Sequence, residues 1–354
     1  MVLSDRLKGI RMREIKKVLI TGITGFVGSH LADYILNNYK DVEVIGLVRW
    51  RSPSDNIRNI LDKILLEYGD LVDSFSLNSI LIKHKPDVLF HLAAQSYVDF
   101  SFLAPINTLY TNVIGTCNLL EAVRELKSSQ KYDPIVHICS SSEVYGQVKE
   151  DEIPIKEDNP LRPASPYAVS KVGEDMLAYQ YWLSWKIKTI RTRMFTHTGP
   201  RRGQVFALSN FAKQVAEIEA GLKEPIVKVG NLKSIRTFMD VRDAVKAYWL
   251  LVNKCPFGEV YNIGGNETMT IGEMLDRLIK LSSVKNIRVE VDPNRLRPSD
   301  VTLQIPSTEK FIKVVGWKPE IKIEKTIEDT LNYWRHYYKF DKYSSPETKP
   351  LVGL

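Results

Sequence analysis

The chain has 354 residues, 44% of them apolar and 26% charged, a balance that excludes fibrous and disordered classes and leaves room for a large core in two lobes. Its net charge is +7, but six basic side chains against two acidic ones within residues 1–17 carry +4 of it, so the remainder is too thinly basic for a nucleic-acid footprint. With no apolar run of about 18 residues and no apolar centre in the opening "MVLSDRLKGIRMREIKK", no membrane span or secretory signal is expected, and the protein is predicted to be cytoplasmic.

In chain order, "KVLIT" (17–21), "VEVIGLV" (42–48), "LLEYG" (65–69), "PDVLFHLAA" (86–94), "PIVHIC" (134–139) and "IKTIRTRMF" (187–195) read as strands. Several are too apolar to keep a wet face, as parallel strands covered on both sides are. Helical stretches lie between them near 26–38, 75–84, 108–127 and 167–185. The alternation predicts an α/β fold, a doubly wound parallel sheet of the Rossmann kind. Beyond Phe195 come a helix near 206–221, a strand "PIVKVG" and a helix near 241–252 whose periodicity suits packing back on the sheet. The expected division is a sheet domain over 16–195, rejoined by 238–263, and a smaller C-terminal substrate lobe made from 196–237 and 264–340. The closing "YSSPETKPLVGL" reads as a loose terminus. Cys117, Cys139 and Cys255 are far apart and the six histidines form no ligand spacing, so reduced thiols and no metal are expected.

"TGITGFVGSH" places Gly22, Gly25 and Gly28 after the first strand and at the head of a helix. Glycine permits the tight turn and lets backbone amides approach a pyrophosphate at the positive end of that helix. The second strand runs into "GLVRWRSPSDN", with Arg49, Arg51 and Ser52 and no acid before Asp55. A carboxylate is missing where NAD would need one for its ribose, and arginines stand where NADP carries its phosphate. NADP is therefore the expected cofactor.

"SPYAVSKVGED" sets Tyr167 and Lys171 one helical turn apart on one face. A phenol loses its proton near pH ~10, and a neighbouring ammonium favours the phenolate, so Tyr167 suits proton exchange with an alcohol during hydride transfer. "SSSEVYG" (140–146) puts three hydroxyls, a carboxylate and a tyrosine after a buried strand, where loop chemistry alone would favour Gly, Pro, Asn or Asp.

On these residues the chain resembles the extended short-chain dehydrogenase/reductases over nearly its whole length, from "LITGITGFVGSH" to "GWKPEI". Within that group "SSSEVYG", "SPYAVSK", "HTGPRRG" and "RLRPSD" are similar to the GDP-mannose 4,6-dehydratases. The resemblance implies catalytic roles for Ser141 on the sugar C4 oxygen, for Glu143 as base at C5 and acid toward the C6 hydroxyl, and for Tyr167 and Lys171. It also implies cofactor contacts from Thr24, Phe26 and Val27 in the glycine turn, from Asp70 and Leu71 at the adenine edge, and from Leu92, Ala93, Ala94 and Ser96 beside the nicotinamide ribose. Ser142 and Thr196 would meet the sugar, and Arg202, Arg236 and Arg297 the nucleotide diphosphate, for which paired guanidinium donors are suited.

The family's Phe-Asn-His reads here Phe195, Thr196, His197, which opens GDP-manno-heptose beside GDP-mannose as the substrate. His197 itself reads as a structural hydrogen-bonder. "NFAKQVAEIEAG" and "FMDVRDAVKAYWLL" are closer to the GDP-4-keto-6-deoxymannose reductases, so an NADPH-consuming reductase is the alternative to a dehydratase. A non-catalytic relative would be expected to lack Tyr or Lys. The resemblance also implies a homodimer or homotetramer, with Trp50 as an adenine cover or an oligomer contact.

Overall fold

Strand β1 (Lys17–Thr21) shows how the core is made: Val18 and Ile20 enter one apolar cluster while Leu19, between them, enters another. A strand buried on both faces needs a layer of helices over each. The computed structural model describes residues 12–296 and 301–339. The first part of the basic N-terminal stretch, Arg297 and the C-terminal "YSSPETKPLVGL" lie outside the described residues.

After β1 come α1 (Phe26–Asn38), β2 (Glu43–Val48), β3 (Leu65–Tyr68), α2 (Ser74–His84), β4 (Val88–His91), the short α3 (Val98–Leu103) and α4 (Pro105–Leu109), α5 (Gly115–Gln130), β5 (Ile135–Ser141), α6 (Pro166–Trp185) and β6 (Lys188–Met194). The chain continues through β7 (His197–Thr198), α7 (Ala207–Glu219), β8 (Ile226–Val229), β9 (Ile235–Asp240), α8 (Val241–Lys254) and β10 (Val260–Ile263). It ends with β11 (Glu267–Thr270), α9 (Ile271–Lys280), β12 (Arg288–Val291), β13 (Leu303–Gln304), α10 (Glu309–Val315) and α11 (Ile323–Lys339).

Seven parallel strands form the main sheet in the order β10-β6-β5-β4-β1-β2-β3. The order reverses between β1 and β4, which opens a crevice beyond their C-terminal ends, where ligands of doubly wound sheets sit. Helices α1 and α8 close one face, and α2, α5 and α6 the other.

Two expected elements differ. The strand through Ala94 stops at His91, because the amides of Leu92 and Ala93 donate instead to Thr21 Oγ1, both at 3.1 Å. The single helix over 108–127 is interrupted by a π turn at Tyr110–Ile114. Asn112, inside that turn, accepts from the Gln95 amide at 2.8 Å and donates to Ser170 Oγ at 2.8 Å. Widened turns of this kind accompany side chains with such outside duties.

The smaller lobe holds a sheet ordered β11-β9-β13, with β7 also on β9, and a parallel pair β12-β8. Its separate core joins α7, α9 and α11 through Phe211, Met274, Leu278 and Trp334. Asp240 ends β9 and caps α8: its Oδ1 accepts from the Arg242 amide at 2.8 Å, and its Oδ2 accepts from Thr326 of α11 at 2.7 Å. This buried carboxylate therefore ties both lobes at one point.

Candidate active site

Between the lobes lies a cleft of about 1280 Å³ lined from both. Its floor is the turn after β1. Gly22 has φ +72°, and a Cβ there would lie 3.0 Å from the Ala93 backbone, so only glycine lets β1 and the segment after β4 approach this closely. Gly25 caps α1 with no side-chain bond, and the first turn of α1 carries no acid. Its amide donors, with Gly25, Phe26, Val27 and Gly28 in the cleft wall, are left to an anion such as a pyrophosphate.

Toward one end Thr24, Arg49, Ser52, Asp70 and Leu71 line the cleft. Arg51 does not; its guanidinium lies 4.3 Å over the ring of Trp50, which is 74% exposed. The donor set fits NADP: β2 ends without a carboxylate, and a cation and a hydroxyl stand where a ribose phosphate would be received. Among the described residues no group of three His, Cys, Asp or Glu is placed to hold a metal.

Leu92, Ala93, Ala94 and Ser96 line the same cleft as Ser141, Ser142, Glu143, Tyr167 and Lys171. Ser141 closes β5, and its Oγ accepts from the Glu143 amide at 3.2 Å, which turns the chain so that Glu143 stays half-buried in the cleft. Tyr145 is structural: its hydroxyl donates to Asn262 Oδ1 at 2.7 Å and accepts from Arg193 at 3.1 Å. Gly146 has φ +57°, and a Cβ there would lie 1.6 Å from the Arg162 carbonyl oxygen, so this turn excludes every other residue.

Ser165 caps α6 by accepting from the Ala168 amide at 3.1 Å, with Pro166 in the first turn. That fixes the register of Tyr167 and Lys171 along the wall. The Lys171 ammonium lies 5.9 Å from the ring centre of Tyr167. Burial pushes the phenol up, with Lys171 working downward against it. Lys171 donates to the Cys139 carbonyl at 2.9 Å and to both carboxylate oxygens of Glu174, at 3.1 and 2.9 Å. Burial, the largest influence, works against the ammonium, but Glu174 together with Tyr167 and Cys139 raises the lysine on balance and it stays charged.

On the substrate side Thr196, Arg202 and Arg236 line the cleft. The Arg202 guanidinium lies 3.7 Å over Phe206 and 4.9 Å over Phe26, and burial lowers it to about 10. Arg236 donates to the carbonyls of Ile235 and Val301. His197 stacks on Phe26, with Nδ1 on the Phe195 carbonyl at 3.1 Å and Nε2 buried without a partner. Two residues escaped sequence reasoning. Gln304 of β13 donates its amide to Glu143 Oε1 at 2.9 Å, a contact with no local signal. Glu174 was visible as the acid three positions after Lys171.

Comparison with known proteins places this architecture. A family model described as GDP-mannose 4,6 dehydratase matches residues 19–330. The chain is 33% identical to the GDP-mannose 4,6-dehydratase of Vibrio cholerae, covering 89% of this chain and 92% of the relative. It is 31% identical to the GDP-6-deoxy-D-mannose reductase of Pseudomonas aeruginosa, covering 90% and 97%. Among solved structures, RMD from Pseudomonas aeruginosa complexed with NADPH superposes with a TM-score of 0.77 at 30% identity, covering 90% of this chain and 99% of that one. The dTDP-glucose 4,6-dehydratase of Bacillus anthracis in complex with NAD also gives 0.77, at 26% identity, covering 92% and 98%.

Proposed function

Because the chain belongs to the GDP-mannose 4,6-dehydratase family, we propose that it removes water from a GDP-sugar, GDP-mannose or a GDP-manno-heptose, to give the 4-keto-6-deoxy sugar nucleotide. The observation that carries this is Glu143, a half-buried carboxylate in the same cleft wall as the Ser141, Tyr167 and Lys171 set. Bound along the glycine turn, NADP supplies the acceptor for the hydride that leaves C4 and the donor of the hydride that reaches C6.

Tyr167 Oη takes the proton of the C4 hydroxyl while Ser141 Oγ holds that oxygen. The C4 ketone acidifies the neighbouring C5 proton, which Glu143 removes. The same carboxylic acid then protonates the C6 hydroxyl so that it leaves as water. A proton returned to C5 balances the one Tyr167 took. Lys171 orients the tyrosine and the nicotinamide ribose, and Arg202 and Arg236 meet the GDP diphosphate, with Thr196 and Ser142 beside the sugar.

The test is incubation with GDP-mannose and with GDP-manno-heptose without added cofactor, reading the 4-keto chromophore in alkali. A dehydratase forms product with no net change in reduced nicotinamide. The second reading, an NADPH-dependent 4-keto reductase, is favoured by the likeness to the Pseudomonas aeruginosa reductase. It predicts no reaction until a keto-sugar and NADPH are supplied.

The protein acts in the cytoplasm as a homodimer or homotetramer in this reading. Leu103 and Ile106, 83% and 77% exposed, stand on α3 and α4, which pack on α6, itself exposing Val169, Met176 and Leu183. An apolar face of this extent suits a second copy. All three cysteines are free, and no described helix is long and apolar enough to cross a membrane.

A further inference from the structure

Asn262, fully buried on β10, spends both ends of its carboxamide on segments that lead to Glu143. Its Oδ1 accepts from the Tyr145 hydroxyl at 2.7 Å, and Tyr145 closes the short turn Ser142–Tyr145 that carries Glu143. Its Nδ2 donates to the carbonyl of Ile155, in the connection from β5 to α6, at 2.9 Å. Ile155 in turn donates its amide to the Ile305 carbonyl at 2.8 Å and accepts from the Ser307 amide at 2.7 Å, so it is tied to the residue that follows Gln304. Gln304 donates to Glu143 Oε1 at 2.9 Å. A ring is thereby closed from Asn262 through Tyr145, Glu143, Gln304 and Ile155 back to Asn262.

The chemistry of this ring restricts what can stand at position 262. Arg193 already donates to the Tyr145 hydroxyl at 3.1 Å, so the hydroxyl's own hydrogen needs an acceptor, while the Ile155 carbonyl needs a donor. A carboxamide presents both from one side chain; a carboxylate lacks the donor and an aliphatic side chain lacks both. Tyr145 and Ile155 are fully buried, and a buried polar group that loses its partner bears the whole cost of its desolvation.

We infer that Asn262 is a positioning residue for the elimination step, holding Tyr145 and Ile155 at a fixed separation and so keeping Glu143 on Gln304 and aimed at the sugar C5 proton. The inference rests on the role given above to Glu143. Asn262 stands behind the cleft wall rather than in it, and it acts only through these neighbours. Tyr167 and Lys171 stand on α6, outside the ring, so the first hydride transfer, which they serve, does not depend on it.

The experiment compares the unmodified protein with Asn262→Asp, which keeps the acceptor facing Tyr145 and removes the donor facing Ile155. The NADP-loaded proteins are mixed rapidly with GDP-mannose or GDP-manno-heptose, whichever the unmodified protein converts, and reduced nicotinamide and 4-keto product are followed together. In Asn262→Asp the first hydride transfer is expected to stay within about threefold of the unmodified rate while product forms about 10- to 100-fold more slowly, the scale of a misplaced reacting group. Reduced nicotinamide then accumulates before product appears. Both steps slowed alike, as a merely structural role would give, the first slowed more than the second, or neither slowed, overturns the proposal.

If the unmodified protein converts neither sugar, the dehydratase reading fails by itself, and a crystal structure of Asn262→Asp decides the positioning without activity. Glu143 turned away from Gln304 supports the proposal, and the contact kept at 2.9 Å, as in the unmodified protein, overturns it. Should Asn262→Asp not fold, Tyr145→Phe, which opens the same ring at its other end, takes its place with the same supporting and overturning results.

Discussion

Gln304, at the end of a two-residue strand, reaches across 161 positions of chain to place its amide nitrogen 2.9 Å from Oε1 of Glu143. The carboxylate is thereby aimed by a side chain that is itself only 2% exposed. Replacing Gln304 by Leu should slow formation of the 4-keto product about 10- to 100-fold, the worth of a hydrogen bond to a charged group. Steady-state assays should find the KM for GDP-sugar changed by much less.

Glu143→Gln keeps the Gln304 contact in shape but cannot take the C5 proton. The expected result is loss of keto-sugar by at least about 100-fold, the lower end of what a positioned acid/base contributes. Binding of NADP and of the GDP-sugar, followed by fluorescence titration, should be preserved. Normal product formation by this variant would sink the assignment of Glu143.

Arg49 lines the cleft where β2 ends without an acid. Arg49→Ala should weaken NADP about 10- to 100-fold, as expected for a charge-assisted contact to a phosphate, while NAD binding changes little. Calorimetric titration with both cofactors measures the ratio; equal losses for the two would place Arg49 away from the 2′-phosphate.

Gly146→Ala puts a Cβ 1.6 Å from the Arg162 carbonyl at a backbone angle of φ +57°. The loss should be on the order of 4 kcal/mol, a fall in Tm of roughly 5 °C for a chain of this length, read by thermal denaturation.

Burial lowers His30 to about 4 and His91, His137 and His197 to about 3. The unfolded chain protonates them near pH ~6.5, so it binds more protons than the folded state as pH falls from there. Stability is then full above that pH and is lost progressively down to the folded values, by up to about 1.4 kcal/mol per pH unit for each histidine. The raised Glu174 works in the opposite sense, one group against these several. Tm should fall between pH ~7 and ~5, before ordinary carboxylates titrate.

The sheet was legible because its inner strands are apolar without interruption: "PDVLFHL" can only be a covered strand or a short buried helix, and flanking turns decide between them. That Tyr167 and Lys171 share one face was legible because four positions make one helical turn, and Glu143 stood out as an acid after a buried strand where a plain loop needs none. Gln304 was not, since its partner is set by the folding of a distant strand. The break near Asn112 was equally hidden, because the groups it serves, the Gln95 backbone and the Ser170 hydroxyl, lie elsewhere in the chain. Arg51 shows the converse: its place beside Arg49 in sequence suggested a shared task, yet its guanidinium rests on Trp50.

Asp240 ends a strand of one lobe and begins a helix of the other with no residue between them. A polypeptide threaded in this way has no seam: severing it near that carboxylate would leave each fragment with strands and helices missing from its own core. The two halves of the cleft must therefore be built together, and recombination that swaps one lobe for that of a relative would have to exchange several separate segments at once.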